Sequence, residues 1–164
     1  MKLKAKISSV FNTPAHRAWS AVKESRTLIF VTKGVLGFEG RVGVEERKGI
    51  GSRCNFPKTW VEGRIESTKL RFFGVIPGWQ HQLYFKEICD ETFQQTSEER
   101  GGLIQQWNHV IKVDSLDAES CRYSDEIEID AGLLTPMVWF YAHLFYRYRQ
   151  WRWKKMIKLN YQLD

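Results

Sequence analysis

The chain has 164 residues, 43% hydrophobic and 14% aromatic, enough for one well-packed domain spanning 1–164 and too few for two. Its formal net charge of +6 sits wholly in residues 135–160, which carry six bases and no acid, so the remainder is neutral. Three distant cysteines, Cys54, Cys89 and Cys121, form no CxxC pair, which argues against a structural zinc site and for free thiols in a reducing compartment.

The N-terminus MKLKAKISSV alternates Lys2, Lys4 and Lys6 with Leu3, Ala5 and Ile7. That is the period of a half-buried strand with lysines toward water, and it lacks the continuous apolar run of a signal peptide. Asn12, Thr13 and Pro14 then announce a helix with Ala15, Ala18, Trp19 and Val22 on one stripe. A second short helix is expected over about Arg26 to Thr32, ended by Gly34 and Gly37. From Val35 to Pro57 the chain is rich in Gly and charge without a clear period, and reads as loops with at most one short strand.

Five strands are expected next: Arg64 to Phe73, Trp79 to Asp90, Thr92 to Glu99, Leu103 to Asp114, and Cys121 to Ala131. Turn signals separate them at Ile76-Pro77-Gly78, Asp90-Glu91, Gly101-Gly102 and Ser115 to Ser120. Connections this short make neighbours antiparallel, hence a meander. The stretch from Thr135 to Asn160 is a long helix, with Thr135 capping its first turn and Pro136 at its first position. At about 1.5 Å per residue it crosses a small domain. The most apolar run, Leu133 to Tyr146, is too short to span a bilayer, so a cytoplasmic protein is expected.

The order strand, two small helices, five or six strands, long helix resembles the START/Bet v1-like (SRPBCC) superfamily. The segments that carry the likeness are FNTPAHRAWSAV, FFGVIPGWQHQL, WNHVIKV, RYSDEIEIDAG and FYRYRQWRWKKM, which are most similar to polyketide cyclase/dehydrase-like members. The resemblance implies an α+β helix-grip fold. A curved antiparallel sheet of six or seven strands wraps the C-terminal helix, leaving an apolar cavity between them. It leaves function open, because such folds serve transport, reception and catalysis.

Alternation on the strands sorts the side chains that face this cavity. The inward sets are Trp79, His81, Leu83 and Phe85; Trp107, His109, Ile111 and Val113; and Cys121, Tyr123, Asp125, Ile127 and Ile129. Pairing Val113 with Cys121 across the last hairpin sets Ile111 opposite Tyr123 and His109 opposite Asp125. A two-residue shift would place Asp125 opposite Ile111 instead. The expected ligand-binding residues are Trp79, His81, Trp107, His109, Tyr123, Asp125 and Tyr141.

The first functional expectation is therefore a binding protein for a small, largely hydrophobic molecule: a lipid, a polyketide-like ring or an aromatic metabolite. The second is a cyclase or dehydratase using His109 and Asp125 as an acid/base pair, with Tyr123 or His81 donating to a developing oxyanion. A structural account competes with it, since a buried Asp needs a partner and a neighbouring His supplies one. No nucleophile motif, phosphate loop or metal-spaced cluster is present, so no cofactor or metal is expected.

On the long helix, Met137, Tyr141, Leu144 and Tyr148 form one apolar stripe and Trp139, Tyr146, Trp153 and Ile157 another. One sheet buries only one of them. The other is left for the loops of 35–57, for a second copy in a homodimer, or for a membrane surface, in that order. In the last case Arg147, Arg149, Arg152, Lys154 and Lys155 would contact the surface, a third function as a docking module. Nucleic acid ranks below these, because the aromatics sit at core spacing.

Overall fold

The computed structural model describes residues 1–40 and 56–163. Strand β1 (Leu3–Phe11) is followed by α1 (Ala15–Val22), α2 (Ser25–Thr32) and a short β2 (Leu36–Glu39). Then come β3 (Ile65–Phe72), β4 (Ile76–Cys89), β5 (Gln94–Gly101), β6 (Ile104–Ser115), β7 (Cys121–Asp130), a 3₁₀ turn (Gly132–Leu134) and α3 (Thr135–Lys158). The expected order holds, with β2 as the one short strand of the poorly patterned region. The rest of that region, 41–55, which includes Cys54, lies outside the described residues.

The seven strands form one antiparallel sheet in the order β1-β7-β6-β5-β4-β3-β2. Register shifts between Lys69 and Arg71, Phe85 and Glu87, and Glu99 and Gly101 interrupt three of its ladders. Such irregularities bend a strand and tighten its twist, which curls the sheet around α3. The lysines of β1 face outward, and Ala5, Ile7 and Phe11 face inward and are buried, while Val10 is exposed. All four expected stripe residues of α1 are buried too, against β6, β7, Trp153 and Met156.

Helix α3 is held to the edge strand through backbone acceptors. The Trp139 indole donates to the Lys4 carbonyl at 2.8 Å, the Gln150 amide donates to that of Ile7 at 2.8 Å, and Ser9 Oγ donates to Gln150 Oε1 at 2.7 Å. On the other side Arg152 donates to the Phe30 carbonyl and the Tyr148 hydroxyl to that of Lys33. These bonds fix the rotation of the helix and so which face meets the sheet.

That face takes in Tyr146 and Trp153 of the second expected stripe, with Trp139 and Ile157 half-buried beside it, and departs from the first. Ala142, Phe145, Tyr146, Arg149, Gln150, Trp153 and Met156 are buried, while Met137 and Leu144 are 62% and 54% exposed. The cause is that two polar residues, Arg149 and Gln150, occupy the core face because polar partners or the cavity meet them there. Thr135 is also not the cap. It is the first helical residue, and its hydroxyl accepts from Ala131 N at 2.9 Å and donates to the Gly132 carbonyl at 2.7 Å. Pro136 therefore stands one position further in than expected.

Two hairpins correct the turn assignments. Between β3 and β4 the left-handed residues are Phe73 (φ 51°) and Gly74 (φ 73°), so the turn precedes Ile76-Pro77-Gly78, which lies within β4. Between β6 and β7 the pairs are Val113 with Tyr123, Ile111 with Asp125 and His109 with Ile127. The loop shortens to Leu116–Ser120, closed by Leu116 N on the Ser120 carbonyl and by Asp117 accepting from Glu119 N and Ser120 Oγ. This is the shifted register, and His109 and Asp125 become diagonal neighbours.

Candidate functional site

A cavity of about 410 Å³ lies between the concave face of the sheet and α3. Its apolar side is built by Trp60, Leu83 and Phe85, which pack together with the Trp60 and Phe85 rings stacked at 4.5 Å. Each arrives by strand alternation except Trp60, which the loop after 57 delivers by a backbone bond from Trp60 N to the Lys23 carbonyl. Leu103, Leu134 and Met137 also line the space and are 59%, 39% and 62% exposed, which marks its mouth. Trp79 stands near this end. A Cβ on Gly102 (φ +56°) would come within 2.2 Å of its indole, so the β5–β6 turn fits beneath Trp79 only with glycine there.

The opposite wall is polar and buried. His109 Nε2 is 2.8 Å from Asp125 Oδ1, and the Tyr123 hydroxyl donates to the same oxygen at 3.1 Å. Gln150 Nε2 donates to Asp125 Oδ2 at 2.9 Å. The two-residue register shift therefore leaves the pair intact, because diagonal side chains on adjacent strands remain within reach of a histidine. His109 and Tyr123 line the cavity, whereas Asp125 is 0% exposed and stands behind them. A carboxylate so placed orients the imidazole and is set back from the cavity.

A second pair repeats the pattern one strand pair away. His81 Nε2 is 2.9 Å from Glu99 Oε2, and Glu99 Oε1 is 4.0 Å from His109 Nδ1. The expected His81 is thus in place, but its partner Glu99 was missed, because β5 reads as a polar strand with no apolar alternation to mark its inward face. Arg149 was misplaced: counted with the surface bases, it is 6% exposed and lines the cavity. Its guanidinium lies 4.9 Å over the Tyr146 ring. Arg152 is likewise off the open surface, 4.1 Å over Phe30, so Arg147, Lys154 and Lys155 alone of the five named bases are exposed.

These groups set one another's protonation. Burial pushes the Asp125 carboxyl up, but the Arg149 charge and hydrogen bonds from His109 and Gln150 outweigh it and hold the group below its ordinary value. For Glu99 burial is again offset, by the His81 hydrogen bond and by the charges of His81, His109 and Arg149, and the net direction is the same. Burial moves the hydroxyls of Tyr123 and Tyr146 well above the usual tyrosine range and that of Tyr141 to about 12, so all three are donors at neutral pH. Trp107 donates to the Tyr146 hydroxyl at 3.1 Å.

Sheet, helix and the cavity between them make up the START/Bet v1-like helix-grip fold. Norcoclaurine synthase from Thalictrum flavum superposes with a TM-score of 0.64 at 13% identity, covering 100% of this chain and 90% of that one. A START superfamily protein from Mycobacterium smegmatis gives 0.64 at 10% identity, covering 95% and 97%. The Zhui aromatase/cyclase from Streptomyces sp. R1128 gives 0.50 at 10% identity, covering 80% and 70%. The chain belongs to the family described as Domain of unknown function (DUF8410), whose model matches residues 51–157. No curated protein matches it in sequence. Among the described residues no helix is long and apolar enough to cross a membrane, and no three or more His, Cys, Asp or Glu converge as metal ligands.

Proposed function

We propose that the protein binds a small, largely hydrophobic molecule in the cavity between sheet and α3. The observation that carries this is the cavity itself: about 410 Å³ with aromatic and aliphatic walls, open at Leu103 and Met137, and with a few polar groups gathered on one side. Ligand sites have this size and make-up, whereas packed cores keep few voids larger than a water molecule. An aromatic metabolite suits the lining best, since Trp60, Phe85, Trp107 and Phe145 offer ring faces and edges. The norcoclaurine synthase neighbour, solved with dopamine and hydroxybenzaldehyde, supports ring-shaped ligands in this class of fold. Native mass spectrometry of freshly purified protein against its denatured mass tests this. A reproducible extra mass is expected, and an empty protein that also binds no member of an aromatic panel would sink the proposal.

A cyclase or dehydratase activity is the second reading, favoured by the 2.8 Å contact between His109 and Asp125. With Nε2–H donating to Asp125, the His109 Nδ1 lone pair is left as a base for a proton next to a ligand carbonyl. Tyr141 lines the same cavity as a protonated donor whose hydroxyl is unpartnered among the described residues, whereas the Tyr123 proton goes to Asp125. In that case His109→Asn abolishes turnover while ligand capture survives; unchanged turnover removes the enzyme from consideration.

A further inference from the structure

Arg149 is a buried cation with a hydrogen-bonding group left unused among the described residues. Its side chain is 6% exposed, and its Nε has no hydrogen-bond partner among the described residues. Both acids that act on it are bound elsewhere: Asp125 by His109, Tyr123 and Gln150, and Glu99 by His81. The Tyr146 and Phe145 rings, at 4.9 and 5.9 Å, contact the cation without accepting its N–H bonds along the fork. An arginine left in this condition is unfavourable unless something accepts from it.

Other orphaned groups belong to residues that line the same space. One turn along α3 the Trp153 indole N–H is buried without a partner, as are the Tyr141 hydroxyl and the Trp79 indole N–H; all three residues line the cavity. Two buried atoms of opposite character complete the set, Gln95 Oε1 and His81 Nδ1. Four of these six groups are donors, so the protein lacks acceptors here. A hydrocarbon would leave every donor unsatisfied.

Resting on the reading of this cavity as a ligand site, we propose that its ligand carries a carbonyl or carboxylate oxygen seated on the edge of the Arg149 guanidinium, with its apolar body against Trp60, Leu83 and Phe85. A planar fork of N–H donors matches an sp² oxygen of either kind. The charges of Asp125 and Glu99 partly cancel that of Arg149, so a neutral carbonyl is as admissible as an anion. The apolar wall sets size and shape, and Arg149 sets which end of the ligand goes in.

The test is a calorimetric titration with four ligands of one ring system: 2-naphthoic acid, 2-acetylnaphthalene, 2-ethylnaphthalene and naphthalene. The acid, the ketone or both are expected to bind about tenfold or more tighter than the alkyl compound. Arg149→Met, which keeps length and removes donors, should erase that preference while 2-ethylnaphthalene binding persists. If that variant does not fold, Arg149→Lys keeps the charge but loses the planar fork, and should reduce the preference several-fold. Equal binding of the oxygenated and alkyl compounds by the natural protein, or a preference untouched in the variants, overturns the proposal and leaves a cavity for apolar ligands standing. Binding of none of the four by a protein that is also empty on native mass spectrometry overturns both.

Discussion

Two histidine–carboxylate pairs stand beside one another on the concave face, and they differ in everything but composition. Asp125, on β7 facing His109 of β6, is 0% exposed and receives hydrogen bonds from His109, Tyr123 and Gln150. Glu99, between β4 and β5, has a side chain 17% exposed, takes a 2.9 Å bond from His81 and only a long 3.4 Å one from Ser97. His81 keeps an unpartnered Nδ1 beside the cavity. The first pair ties α3 to the sheet through Gln150 and β1; the second is held by little besides itself. The number of bonds an ion pair makes decides whether it serves the fold or remains free for a ligand.

The largest expected effect is therefore on stability at the first pair. Asp125→Ala leaves His109, Gln150 and Arg149 without their anion and should cost about 3–5 kcal/mol in urea unfolding. Glu99→Gln keeps a hydrogen-bonding side chain in place and should cost about 1 kcal/mol. Equal losses would mean that the two sites are energetically alike and that the difference in hydrogen bonding has no weight. Next comes Gln150→Leu, which removes the bonds to Ile7, Ser9 and Asp125 together and should cost about 1–3 kcal/mol. Combined with Asp125→Asn its effect should be less than additive, because both changes break the same link between α3 and the sheet.

Acid separates the pairs further. Both carboxyls titrate below their ordinary values in the folded protein, so as the pH falls below about 4 the unfolded chain takes up protons first. Their contribution to stability is complete above that range and is lost as pH drops through the folded pKa values. Urea midpoints between pH 5 and 2 should fall steeply in the natural protein. The slope should flatten clearly in Asp125→Asn and less in Glu99→Gln; the reverse order would assign the stronger pair to Glu99.

What was legible in the sequence follows where period is strong. On β6 and β7 alternation alone places Trp107, His109, Tyr123 and Asp125 on the buried face, and all four are buried. Register was harder, since a hairpin of polar loop residues admits two closings that differ by two positions and keep every side chain on its face. The bonds of Asp117 to Glu119 and Ser120 select the tighter closing. β5 hid Glu99 because QQTSEERG has no apolar residue to reveal which face points inward. α3 misled for the opposite reason, because aromatic residues surround it and a basic side chain among them reads as surface. Tertiary partners decide the rotation of such a helix, and for Arg149 the partner that matters is the cavity.

Arg147 and Arg149 make that last point testable at its smallest scale, two residues apart on one helix. Arg147 is exposed, as are Lys154 and Lys155, and none of them has an ion-pair partner among the described residues. Solvent screens such charges, so Arg147→Glu together with Lys154→Glu should change stability by no more than about 0.5 kcal/mol. The same double variant should leave 2-naphthoic acid affinity within about twofold, because exposed charges a helix diameter from the cavity act through water. A large loss of capture there would place recognition on the outer face of α3, as in the docking reading that the sequence offered third. Retained capture, set against its collapse in Arg149→Met, would show that Arg149 is turned inward to meet a ligand while Arg147 and Lys154 stay in water.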